Sequence, residues 1–393
     1  MARACLVTAS FFTAGALALR TPHHLDRRSA LSLATSVAPL LLRGGPALAE
    51  QIDAEVIVPL AALTAALTTV PARDVVITGA SSGVGLAGAK LLSAAGHRVT
   101  LACRTEAKAE AAAAACSAYA AAAPRSVARA GGSARGAVCD LGSMASVRDF
   151  AASLKGKRID VLVCNAGLAR GQSEALPCRT ADGFEETVGV NHLGHFLLLN
   201  LLAPTLAASG PGARLVLTAS PVHDPLSGGG KVGSLASLGK LDGLAAGPRF
   251  EMLDGGAYDP DKAYKDSKLC NMLTMAEAAR RFKGAGVTVN AFSPGLIANP
   301  EGFFRNQNPT FAQAFNKISQ LAGVAETNEF GGSALAFMAV DPSLDGVSGG
   351  WYDTLPPGAH QLAKHAASEE ARDEEEQRRL WELSTNLVGP LRA

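Results

Sequence analysis

The chain has 393 residues, 48% of them hydrophobic and 18% charged, with a formal net charge of +1. That length suffices for one large domain with a sizeable core, and the near-neutral balance gives no reason to expect nucleic acid as a partner. Cys5, Cys103, Cys116, Cys139, Cys164, Cys178 and Cys270 are odd in number and form no Cys-x-x-Cys pair, which reads as free thiols in a reducing compartment rather than a disulfide framework or a zinc site.

Residues 1–49 hold one acidic residue, Asp26, against Arg3, Arg20, Arg27, Arg28 and Arg43. Residues 4–19 are apolar but too short to span a bilayer comfortably. They read as a signal-peptide core, and the Arg-, Ser- and Ala-rich part behind them as a transit peptide, together a two-step import signal for a plastid. Arg27-Arg28 with the following apolar run is also compatible with a twin-arginine export signal, and the plainest alternative is a merely disordered terminus. We set residues 1–50 aside as a targeting segment. Residues 51–72 read as a linker or an added helix, and residues 73–393 as a single domain.

The domain opens on Val75-Val-Ile-Thr-Gly-Ala-Ser-Ser-Gly-Val-Gly85. A short β-branched run bounded by glycine reads as a buried strand, and Val84, Leu86, Leu91 and Leu92 begin a helical pattern. A strand, a glycine turn and a helix make a phosphate site, because glycine lets the backbone approach the anion and the first helical N–H groups point at it. Strands then alternate with helices: strands at 98–102, 137–139, 160–163, 214–217, 287–292 and 350–352, helices at 107–122, 143–154, 184–208, from about 264, and at 326–340. This alternation implies βαβ units, an α/β fold of Rossmann type with a doubly wound parallel sheet of about seven strands and helices on both faces. Residues 368–387 are charged and then amphipathic through Leu380, Trp381, Leu383 and Leu387, which predicts a docked terminal helix.

The second strand ends at Arg104. In a doubly wound fold this end faces the adenine ribose, and an arginine there pairs with the 2′-phosphate that distinguishes NADPH from NADH. Tyr264 and Lys268 stand four apart, on one helix face. A free tyrosine has a pKa near ~10, and a nearby ammonium is expected to favour the phenolate and bring its proton closer to transferable. Tyr258 and Lys262 repeat the spacing, but Pro260 lies between them and opposes an established helix there, so Tyr264 is preferred. Ser220 ends the fifth strand as candidate donor to the reacting group, with Thr218 as a less well placed alternative.

The turn through Gly79, Ser81, Ser82, Gly83, Val84 and Gly85, with Tyr264, Lys268 and Ser220, resembles the short-chain dehydrogenase/reductase family. That resemblance implies further site residues: Asp140 beside the adenine ring, Asn165-Ala166-Gly167 at the end of the fourth strand, and Asn191 on a water-linked proton path. Within the family, 44 positions separate Ser220 from Tyr264, where a dozen or so is usual. The extra Gly-rich segment, residues 221–257, resembles the insertion of the light-dependent protochlorophyllide oxidoreductases. Thr180-Ala-Asp-Gly-Phe-Glu, Val190-Asn-His-Leu-Gly-His-Phe, Lys262-Ala-Tyr-Lys-Asp-Ser-Lys-Leu-Cys-Asn-Met and Arg379-Leu-Trp-Glu-Leu-Ser resemble them too. The implied activity is light-driven, NADPH-dependent reduction of the ring D double bond of protochlorophyllide in a plastid, with peripheral contact to the thylakoid membrane and homo-oligomerisation as further expectations. One departure stands out: the family's Tyr-Pro-Gly-Cys is Ser293-Pro294-Gly295-Leu296 here. The alternatives are a dark reductase acting on a carbonyl of another apolar plastid compound, and a non-catalytic protein that kept the fold. Phe303, Phe304, Phe311 and Phe315 read either as core or as the lining of a pigment pocket or partner contact. His192 and His195 are assigned no chemistry, because they lack a carboxylate–metal pattern.

Overall fold

The computed structural model describes residues 56–124, 127–171, 174–298 and 309–391. Residues 1–50, read above as a targeting segment, Phe303, Phe304 and the side chain of Phe311 lie outside what it describes. The first turn of the chain onto itself is the expected one. Strand β2 (Asp74–Thr78) runs into helix α1 (Gly83–Ala94), and β3 (Arg98–Cys103) pairs parallel to β2. Helix α2 (Glu106–Ala122), capped by the Thr105 side chain, leads to β4 (Ser133–Val138), and α3 (Met144–Ser153), capped by Ser143, leads to β5 (Val161–Cys164). Then come α4 (Gly194–Ala208), β6 (Arg214–Thr218), α5 (Pro260–Arg281), β7 (Thr288–Phe292), α6 (Pro309–Leu321), α7 (Asn328–Val340), β8 (Trp351–Thr354), β9 (Gln361–His365) and α8 (Glu374–Val388).

With β1 (Val56–Pro59), the strands among the described residues form one nine-stranded sheet in the order β1-β9-β8-β7-β6-β5-β2-β3-β4. The run from β4 to β8 is parallel, and the reversal of order between β2 and β5 leaves a crevice at the carboxyl ends of those two strands. Two strands beyond the expected seven sit at one edge. Residues 56–59, expected as linker or helix, form β1, which pairs antiparallel with β9. Its side chains are mostly exposed, so the sheet gains hydrogen bonds there without a core-facing pattern that a sequence could display.

Alternate residues of the strands feed two cores, which explains why the strands read as continuous apolar runs. Val76, Leu162 and Leu215 face a core with α3, α4, α5 and α8, while Val75, Ile77, Val161 and Val216 face one with α1, α2 and α7. The terminal helix docks as its pattern requires. Trp381 meets the ring of Phe196 edge-on at 4.9 Å, and His192 bonds Ser384 at 2.8 Å through Nε2. Burial pushes the His192 pKa down to about 3, so the imidazole makes this tie uncharged.

Two expected elements differ in detail. Helix α5 begins at Pro260, with the Asp259 carboxylate accepting from the N–H groups of Asp261 and Lys262. Pro260 therefore opens the helix instead of opposing it: at the first helical position its missing N–H would have had no partner anyway. The stretch expected as one helix over 184–208 is a helical turn (Glu186–Val188), a π-helical turn (Gly189–Leu193) and α4.

Candidate active site

Thr78, the last residue of β2, holds the crevice together. Its hydroxyl accepts from the N–H groups of Asn165 (2.9 Å) and Ala166 (3.0 Å), and the Asn165 amide donates to its carbonyl (3.0 Å). The glycine turn folds tightly over this junction. Gly79 has φ +65°, and a Cβ there would stand 2.7 Å from the Ala166 Cα. A Cβ on Gly85 would stand 2.6 Å from both the Asn165 amide and the Gly79 carbonyl. Ser82 is the N-cap of α1, yet its side chain makes no capping bond, and the first-turn N–H groups face the glycine turn. Arg104 follows β3 directly and is exposed. Asp140 follows β4 and closes its own loop, accepting from the Gly142 N–H at 2.9 Å. A backbone that only glycine fits, an uncapped helix start and an arginine one strand over fit a dinucleotide with a 2′-phosphate.

Tyr264, Lys268, Ser220 and Asn191 converge at the carboxyl ends of β5 and β6. The Ser220 side chain hydrogen-bonds the Tyr264 hydroxyl. The Lys268 ammonium lies 5.6 Å from the Tyr264 ring centroid and donates to the Thr218 carbonyl at 3.2 Å. Asn191 is fully buried. Its amide brackets the Leu168 backbone, accepting from the N–H at 2.8 Å and donating to the carbonyl at 2.9 Å, and also donates to Ser267 Oγ at 3.0 Å. Ser267 donates in turn to the Tyr264 carbonyl at 2.6 Å. Gly167 lies beside this group, since a Cβ there would stand in ordinary contact, 3.5 Å from both the Lys268 ammonium and Asn191 Oδ1. Thr218, the alternative to Ser220, serves through its carbonyl.

The electrostatics run against one expectation. Desolvation pushes the Tyr264 pKa up, with the Ser220 bond opposing it, and desolvation pushes Lys268 down to about 8. In this pocket the tyrosine holds its proton as a phenol, and the lysine is the group poised to change charge near neutral pH.

The histidines play parts that sequence reasoning missed. The His195 Nδ1 donates to the Asn191 carbonyl at 3.0 Å, so Nε2 is the acceptor for the Thr78 hydroxyl at 2.8 Å. Burial lowers its pKa to about 4, which fixes the neutral ring between the cofactor turn and the π-helical turn. Asn191 sits inside that turn, a distortion that often marks functional sites. The signal available in the sequence was the four-residue step from Asn191 to His195. Tyr258 precedes α5, and Lys262 pairs with Asp266 at 2.6 Å and Asp254 at 3.1 Å, so the repeated spacing upstream belongs to the scaffold.

The same helix fastens the insertion. Lys265 donates to the carbonyls of Val232 and Ser234 and pairs with Asp261 at 3.2 Å, while the Asp266 carboxylate accepts from the Ser237 N–H at 3.0 Å.

Residues 73–225 match the model of the short chain dehydrogenase family. The chain is 42% identical over 332 residues to protochlorophyllide reductase B, chloroplastic, of Oryza sativa subsp. japonica, covering 80% of this chain and 77% of that one. It is 41% identical over 328 residues to protochlorophyllide reductase of Avena sativa, covering 80% and 99%. Among solved structures, an uncharacterized protein from Mycobacterium paratuberculosis superposes with a TM-score of 0.54 at 26% identity, over 82% of this chain and 96% of that one. A protein described as an NAD(P)-dependent gluconate 5-dehydrogenase from Beutenbergia cavernae, solved with bound NADP, gives 0.51 at 25% identity, over 72% and 94%. With the dinucleotide crevice, the Ser–Tyr–Lys–Asn arrangement and this extent of identity in one molecule, the chain belongs to the protochlorophyllide reductases within the short-chain dehydrogenase/reductase family.

Proposed function

We propose that the protein carries out the light-driven, NADPH-dependent reduction of the ring D double bond of protochlorophyllide in a plastid. The observation that carries this reading is the grouping of Ser220, Tyr264 and the buried Lys268 at the open ends of β5 and β6, in a chain akin to chloroplastic protochlorophyllide reductases over most of its length. Bound NADPH supplies the hydride. Gly79, Ser81, Ser82, Gly83, Val84 and Gly85 hold its diphosphate, Arg104 its 2′-phosphate, Asp140 its adenine side, and Asn165, Ala166, Gly167 and Lys268 its nicotinamide end. Tyr264 stays protonated because its hydroxyl is desolvated, so it can donate at neutral pH, and Ser220 orients it. Lys268, held by the Thr218 carbonyl and easily discharged, resupplies the proton. Asn191 fixes the Leu168 backbone and, through Ser267, the turn of α5 that bears Tyr264. Leu296 supports the protein as a pigment-packing surface and leaves Tyr264 as the acid. Exposed Leu226, Val232 and Leu235 in the insertion support a peripheral thylakoid contact, and the exposed edge strand β1 supports self-association.

The test is a single flash given to purified protein with NADPH and protochlorophyllide. Loss of the substrate's absorption band only after the flash is expected, and its abolition in Tyr264→Phe. No change under light rejects the reading. The absence of both a thiol and a tyrosine from Ser293-Pro294-Gly295-Leu296 favours one other reading, dark reduction of a carbonyl on another apolar plastid compound. NADPH oxidation in the dark with a carbonyl panel would establish that instead.

A further inference from the structure

A buried carboxylate and a half-exposed imidazole stand at the sheet's carboxyl edge, and none of the chemistry above uses them. The Glu326 side chain is 0% exposed and the His360 side chain 49%. Glu326 Oε2 bonds His360 Nδ1, and Glu326 Oε1 accepts from the His360 backbone N–H at 3.3 Å. His360 adopts φ +51°, a left-handed conformation that a non-glycine residue takes only where its surroundings enforce it. Its ring also lies 5.7 Å from the Phe330 ring between centroids.

Their position ties them to the site. The Ala219 N–H bonds the Phe292 carbonyl at the ends of β6 and β7, so Ser220 and Ser293 emerge about one strand spacing apart, ~5 Å. Two residues on, a Cβ at Gly295 would stand 2.5 Å from Glu326 Cγ. The Glu326 N–H bonds the Leu296 carbonyl at 2.9 Å, so Glu326 is fastened to the segment that replaces the family's Tyr-Pro-Gly-Cys. Pro294 and Val84, in the first turn of α1, pack on the same residue, Gly331. The pair therefore stands beside the segment that leaves β7 next to Ser220 and packs toward the first turn of α1.

The chemistry of the pair is specific. A carboxylate that holds Nδ1–H fixes the tautomer with the lone pair on Nε2 and raises its basicity, the arrangement that backs most metal-ligating histidines. A magnesium tetrapyrrole already supplies four ring nitrogens to its ion and lacks only an axial donor. A buried acidic partner also disfavours a substrate carboxylate at this spot. We propose that His360 Nε2 is the axial ligand of the magnesium in the bound pigment, oriented by Glu326. This rests on the protochlorophyllide reading of the site.

Binding is measured in the dark with NADP+ present, using protochlorophyllide and the same pigment without magnesium. Wild type is expected to hold the magnesium form tighter by about tenfold or more. His360→Ala should lose that preference without weakening the magnesium-free pigment, and added imidazole should restore it in part. Glu326→Gln should reduce the preference while leaving His360 in place. An unchanged ratio in His360→Ala, or equal affinity for both pigments in wild type, overturns the proposal while leaving the pigment reading intact. If wild type holds neither pigment, both fall together.

Discussion

Lys268 should destabilise the fold that depends on it. Its ammonium is buried, and burial lowers its pKa from 10.5 to about 8. That drop corresponds to about 3 kcal/mol of unfavourable free energy whenever both folded and unfolded chains carry the proton, that is, below pH ~8. Between about pH 8 and 10.5 the unfolded chain binds the extra proton, so the penalty shrinks as pH rises, and it is gone above that window. Lys268→Met keeps the length of the side chain and removes the charge. It also removes the bond to the Thr218 carbonyl, which contributes about 1 kcal/mol. The net expectation for the cofactor-free protein is a gain of about 2 kcal/mol at pH 7, falling toward zero by pH 9.5, alongside lost catalysis. Urea unfolding at the two pH values measures it. A variant less stable than wild type at pH 7, or a gain that does not change with pH, refutes the argument that this charge is held against its own solvation.

Arg104→Ala should weaken NADPH roughly 10- to 100-fold while leaving NADH unchanged if the guanidinium meets only the 2′-phosphate, as proposed. Titration with both cofactors checks it, and equal losses would place Arg104 elsewhere. Lys265→Met should free the insertion from α5. Losing its bonds to the loop carbonyls, at about 1 kcal/mol each, should speed protease cleavage within residues 228–237 by roughly 10- to 100-fold with little change in global unfolding. Unaltered cleavage would show that the loop is held by other means.

What the sequence displayed was whatever is local. The β2–α1 turn, the end of β3 at Arg104 and the four-residue step from Tyr264 to Lys268 each lie within one or two turns of chain, and each stands where periodicity and glycine spacing put it. Strand β4 reads Ser-Ala-Arg-Gly-Ala-Val and is largely exposed at the sheet edge, so it offered an apolar signal only at its end. Strand β1 exists because β9 supplies its partner three hundred residues later. The π-helical turn at Asn191 follows the same apolar spacing as an ordinary helix, and its distortion becomes visible only when His195 reaches back to the carbonyl. Asp259 turned Pro260 from a helix breaker into a helix start, a matter of which residue stood one place earlier. Glu326 and His360 are 34 residues apart and meet only because β7, α7 and β9 converge.

Helix α5 serves two masters. Tyr264 and Lys268 look into the crevice, while Lys262, Lys265 and Asp266, interleaved with them, grip the segment that lengthens this branch of the family. Any shift of that segment would therefore be transmitted to the turns that bear Tyr264 and Lys268. Transplanting the segment into a shorter relative would move nothing useful unless those three anchoring side chains travelled with it.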